Sequence, residues 1–113
     1  MDIKYIESVL QKFSDEREWG ELHNPKNLVM ALSGEVGELN EIFQWLTLEQ
    51  SKNLSSPLKE HAKEEIADVA IYLINICMKL DINLEEAILN KIKKNERKYS
   101  IEKFKGSNLP YDR

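Results

Sequence analysis

Ile66–Met78, reading IADVAIYLINICM, is the stretch whose reading decides the fold. It is apolar on nearly every side, broken by Asp68 near its start. An apolar surface that wraps all the way round marks a buried central helix rather than a surface one. At 13 residues it is too short to cross a bilayer. Ser56 is placed to cap this helix, with Pro57 at its first position, where a missing N–H costs nothing. The helix is expected to end near Leu80. Upstream, Asn24 and Pro25 repeat the same start signal. They open a helix to Trp45 or Leu46 with a stripe of Leu28, Leu32, Val36, Leu39 and Phe43. Gly34 and Gly37 lie inside it, each costing about 1 kcal/mol relative to Ala, which calls for a packing or functional reason. Ile3, Ile6, Val9, Leu10 and Phe13 give an amphipathic first helix toward Trp19. Asn83, with Glu86 three residues on, opens a last helix carrying Leu84, Ala87, Ile88 and Ile92. Residues 47–57 are irregular, with room for one short helical turn. No segment alternates with period two. The expectation is all-α: a small four-helix bundle assembled as a dimer or dimer of dimers.

With 113 residues, the chain is read as one domain, 1–113, with 100–113 a loosely ordered tail. Apolar residues are 42% and charged residues 32%, a balance that excludes disorder. A net charge of -4 argues against polymeric nucleic acid as the ligand, but not against a metal or a metal–phosphate. The one cysteine, Cys77, suits a reducing compartment, and MDIKYIESV has no secretory pattern, so a cytoplasmic location and no membrane contact are expected.

Two acidic pairs carry the chemistry. Glu35 and Glu38 are three apart, as are Glu65 and Asp68, so each pair projects from one helix face at ~5–6 Å. If the two helices pack, four carboxylates converge. Like charges converging away from water need a cation, and oxygen ligands suit Mg²⁺ or Mn²⁺. Glu41 and Glu64 extend the patch, and His61 sits one turn before Glu65. The opposing reading is a solvated acidic face. Against it stands Asp68, an Asp in mid-helix among apolar neighbours. On the last helix Lys91, Lys94 or Asn95, and Lys98 share a face. They read either as a basic helix end or as a clamp for phosphate. Trp19, Trp45, Tyr72 and Tyr99 read either as core caps or as surfaces on which a base stacks, with His23 in the loop after Trp19.

The blocks FSDEREWGELHNPKNL, ALSGEVGELNEIFQW, EEIADVAIYLI and KIKKNERKY, in this order, resemble the MazG-like all-α nucleotide pyrophosphohydrolase superfamily, nearest its dCTP pyrophosphatase branch. The resemblance spans about residues 8 to 106. The family's Glu-x-x-Glu and Glu-x-x-Asp motifs appear as EVGE and EIAD. YSIEKFKG follows the family's YPxxxxxG pattern only loosely. The resemblance implies that Glu35, Glu38, Glu65 and Asp68 hold Mg²⁺. One of the glutamates would also accept the proton of the attacking water, and Glu38 is the choice among them. It implies a base pocket of Trp19, His23, Asn27, Trp45 and Tyr72. Lys91, Asn95, Lys98 and Tyr99 would then serve the phosphates. The implied reaction converts a nucleoside triphosphate, dCTP or a related pyrimidine nucleotide, to monophosphate and pyrophosphate. The implied assembly is a homodimer or homotetramer. The competing reading is a nucleotide-binding regulatory or protein-interaction bundle without turnover.

Overall fold

The computed structural model describes residues 1–106. The last seven residues of the expected loose tail, 107–113, lie outside that range. Six helices are present among the described residues, and no strand: α1 (Ile3–Glu16), α2 (Pro25–Phe43), α3 (Leu48–Lys52), α4 (Ser56–Lys79), α5 (Leu84–Lys98) and α6 (Ile101–Phe104). The all-α expectation holds, and the four-helix bundle is corrected. Two short helices are added, and the long helices do not all share one core. The chain forms two compact units, residues 1–81 and 82–113, which assigns α5 and α6 to the second.

Local chemistry explains the added helices and the shifted ends. Thr47 and Gln50 make a reciprocal capping box: Thr47 N–H donates to Gln50 Oε1 at 2.9 Å, and Gln50 N–H donates to Thr47 Oγ1 at 3.1 Å. That box starts α3 within the stretch read as irregular. Residues 101–104 form one turn of helix after Ser100. Asp2 and Asn24 cap α1 and α2 by accepting from Tyr5 N–H and Asn27 N–H. Asn83 does the same for α5 through Glu86 N–H. The start of α4 differs from expectation. Ser55 is its cap residue, without a side-chain bond, and Ser56 is already helical, so Pro57 occupies the second position.

The first helix stops at Glu16 rather than Trp19 because Glu18 turns left-handed, at φ 54°. Trp19 N–H then donates to Ser14 O, and Glu18 N–H to Asp15 O, both at 3.1 Å. These are the paired bonds of a Schellman ending, with Glu18 at the position that favours glycine.

In the first unit, α4 packs on α2 and on α1. The buried apolar side chains are Leu28 and Ile42 from α2 and Ala62 and Ile74 from α4. Full burial of a Leu or Ile contributes about 1.5–3 kcal/mol. Ile42 rather than Val36 belongs to the buried stripe of α2, since Val36 is exposed. The central apolar stretch is mostly half-buried, and its Ile66 and Leu73 are exposed within one chain. A Cβ added at Gly34 or Gly37 meets open space, so nothing inside one chain requires glycine there.

The left-handed backbone at Glu18 costs a residue with a Cβ about 1–2 kcal/mol, part of which glycine's unfolded-state entropy offsets. Glu18→Gly is expected to stabilise the chain by about 0.5–1 kcal/mol, read as a rise in melting temperature. A variant that melts at or below the parent temperature counts against this assignment.

Candidate metal centre

Helices α2 and α4 run antiparallel, so the acidic pair of one faces that of the other. Carboxylate oxygens of Glu35, Glu38 and Glu65 come within 4.8 Å of one another. Glu65 is buried, Glu35 half-buried and Glu38 exposed, a gradient from the helix interface to solvent. Asp68, half-buried one turn further along α4, stands outside this tight triad. Its charge still acts on both Glu35 and Glu65.

The electrostatics show strain among like charges. Burial pushes the Glu35 carboxyl from the ordinary 4.5 to about 7, helped by contact with the Glu38 and Glu65 carboxyls and by the charges of Glu38 and Asp68. Glu65 is also raised, first by contact with the Glu38 carboxyl and then by burial and by the charges of Glu38 and Asp68. Only contact with Glu35 pulls it the other way. Glu35 Oε2 and Glu65 Oε2 are buried without any hydrogen bond. Buried carboxylate oxygens without donors are costly, and a divalent cation there would satisfy both oxygens and cancel the repulsion. The donor set is all oxygen, which suits Mg²⁺.

Beside the triad opens a cleft of about 560 Å³ lined by Glu38, Glu41, Ile42, Leu58, His61 and Glu65. His61 Nε2 lies 3.5 Å from Glu65 Oε1. Sequence reasoning had no means of singling out Ile42 and Leu58, which meet only because α2 and α4 are antiparallel. The spacing of His61 and Glu65, four apart on one helix, was the visible signal for that side of the cleft.

The other expected site residues lie on several elements. Trp19 packs edge-on to Phe13 at 5.8 Å and lies 5.5 Å from the His23 ring. Arg17 covers the Phe13 ring at 3.5 Å. Asn27 is tied back to the same loop, its Nδ2 donating to Leu22 O at 3.1 Å. Trp19, His23 and Asn27 thus form one local group. Trp45 stands 86% exposed in the turn after α2, and Tyr72 is half-buried one turn beyond Asp68 on α4. Lys91, Asn95, Lys98 and Tyr99 belong to the second unit. There Lys98 approaches the Tyr99 ring at 5.5 Å, and Tyr99 meets Phe104 edge-on.

This is an all-α chain whose carboxylates, gathered between two packed helices, could hold a divalent cation. Residues 30–112 match the MazG-like family, and the chain belongs to it. It is 38% identical to dCTP pyrophosphatase 1 of Mus musculus over 102 residues, and 40% identical to that of Homo sapiens over the same length. These matches cover 88% of this chain and 60% of either relative, so the chain spans well under two thirds of their length. A crystal structure of a pyrophosphatase from Archaeoglobus fulgidus superposes with a TM-score of 0.83 at 42% identity, covering 88% of this chain and 94% of that one.

Because Glu35 stays protonated in the fold well above the ordinary 4.5, it withdraws stability as it ionises. The contribution is fully present below about 4.5 and is lost as pH rises through about 7; Glu65 acts in the same direction. Without divalent ions the melting temperature is therefore expected to fall across this window. Saturating Mg²⁺ should remove the fall, and Glu35→Gln should flatten it. A metal-free profile that rises from pH 4.5 to 7 in the parent and is unchanged in Glu35→Gln would contradict the clustering.

Proposed function

We propose that this chain hydrolyses nucleoside triphosphates in a divalent-metal-dependent reaction. Water cleaves the triphosphate between the α and β phosphorus atoms, releasing the nucleoside monophosphate and pyrophosphate. A pyrimidine deoxynucleotide, dCTP, is the favoured substrate. The single observation that carries the reading is the Glu35–Glu38–Glu65 cluster with its two orphaned buried oxygens. Membership of the MazG-like family and similarity to dCTP pyrophosphatases support it.

In this reading Glu35, Glu38, Glu65 and Asp68 hold Mg²⁺, with Mn²⁺ as a substitute. The ion, when bound, screens the triphosphate's charge and acidifies a water. The residues do the rest. Glu35 and Glu65, half-buried and buried at the helix interface, fix the position of the centre. Glu38, the exposed member, is the carboxylate open to solvent and accepts the proton of the attacking water. Trp19, Trp45 and Tyr72 supply apolar surface for the base, and His23 and Asn27 supply polar groups for its edge. Stacking alone accepts any base, so cytosine preference falls to these polar groups. Lys91, Asn95, Lys98 and Tyr99 are the residues assigned to the phosphates in this reading.

The working form is a homodimer or larger. Val29, Met30 and Val36 of α2 and Ile66 and Leu73 of α4 are exposed within one chain, as are the glycines at 34 and 37. A second copy covering these faces accounts for both. No helix among the described residues is long and apolar enough to cross a membrane. A cytoplasmic role in policing the nucleotide pool, without polymeric nucleic acid as partner, completes the proposal.

Pyrophosphate release measured across dCTP, dTTP, dUTP, dATP, dGTP and their ribose forms tests the activity directly. Turnover is expected only with a divalent ion, with the highest kcat/KM for dCTP. Asp68→Asn is expected to lower kcat/KM by about 100-fold or more while leaving helix content intact. Full Mg²⁺-dependent turnover in that variant removes Asp68 from the centre, and a purine preference removes the cytosine assignment. Sedimentation at micromolar concentration is expected to give a dimer or tetramer, and a stable monomer overturns the assembly.

A further inference from the structure

We propose that Lys79 is a positioning residue: its ammonium holds the loop between α1 and α2 so that Trp19 and His23 meet the base of a bound nucleotide. The inference rests on the proposed reading of those two residues as part of the base pocket. Lys79 Nζ donates to Gly20 O at 3.3 Å, a bond between positions 59 apart in the sequence. Both residues belong to the first unit. The loop's other side-chain bonds are local. Arg17 Nη1 donates to Phe13 O, Asn24 Nδ2 to Glu21 O and Asn27 Nδ2 to Leu22 O. These fix the shape of the loop, whereas the Lys79 bond fixes where it sits on α4.

No residue from 17 to 24 is buried. Leu22 is 62% exposed, and Trp19 leans on Phe13, which is itself exposed. A segment with so little apolar anchorage depends on its hydrogen bonds for its pose. A lysine in the last turn of a helix is favoured by the helix dipole alone. The dipole does not call for a bond to a carbonyl of another segment. The position of Lys79 on α4 gives that bond its use. Asp68, Tyr72 and Lys79 follow one another at spacings of four and seven, so they share one helix face. In the proposed reading that face runs from the metal end of the site, past the stacking surface of Tyr72, to the support of the Trp19 loop. Lys79 lies about 16 Å beyond Asp68 along the helix axis, too far to touch the metal centre, so it acts through the loop.

The test pairs two measurements on the whole chain, comparing Lys79→Met and Lys79→Arg with the parent. Hydrogen exchange without nucleotide follows the amides of Trp19 and His23, which donate to Ser14 O and Trp19 O. Exchange in residues 17–24 is expected to quicken by about two- to tenfold in Lys79→Met, the loss of one net hydrogen bond, and to match the parent in Lys79→Arg. Pyrophosphate release is expected to show the KM for dCTP raised by a similar factor in Lys79→Met, with kcat within about twofold of the parent. The rise is expected to be smaller for dTTP and dATP, and Lys79→Arg is expected to restore the parent values. Unchanged loop exchange in Lys79→Met, or an Arg variant as impaired as the Met variant, overturns the bond. An unchanged KM, or an equal rise for every nucleotide, overturns the positioning of the base pocket and leaves the enzymatic reading standing. A parent that turns over no nucleotide overturns the enzymatic reading, and the positioning role with it, whatever the exchange shows.

Discussion

The antiparallel contact between α2 and α4 is the constraint on which the rest of the first unit depends. It buries Leu28, Ile42, Ala62 and Ile74, and the same register sets Glu35 and Glu38 against Glu65. The two consequences oppose each other. Apolar burial draws the helices together, while converging carboxylates push them apart and keep Glu35 protonated up to about pH 7. A fold that keeps such a conflict is exchanging stability for a site. The conflict is local, since the exposed Glu38 relieves part of it to water and the buried Glu65 relieves none.

This division of labour matters for chemistry. An ion bound between the helices would neutralise the repulsion, and binding and folding would then be coupled through the same few oxygens. The most buried glutamate has the least freedom to move, which makes Glu65 the anchor of the centre. Glu38, open to solvent, is the member best placed to exchange protons with water.

Much of this was legible in the sequence. The paired spacings EVGE and EIAD, the Asn24–Pro25 start and the absence of alternation led to the helices and to the acids that meet. Periodicity did not reveal the capping box at Thr47 and Gln50, because a five-residue helix has too few turns to show a stripe. Nor did it reveal the early end of α1, since the left-handed turn falls on Glu18 rather than on a glycine. Ile42 was missed for Val36 because helix period alone does not fix which edge of a stripe faces the neighbour. The second unit, holding α5, was hidden for a related reason: a helix pattern records which face is apolar, not which partner receives it.

The short helix α3 has a consequence of its own. Residues 47–53 are all exposed, and the bonds of the capping box close within the segment itself. Its stability is therefore decoupled from the core, and it opens and re-forms without disturbing the glutamates. The connection between the two glutamate-bearing helices thus acts as a slack tether. Amide protons in it should therefore exchange readily, while those around the buried Glu65 should be the better protected.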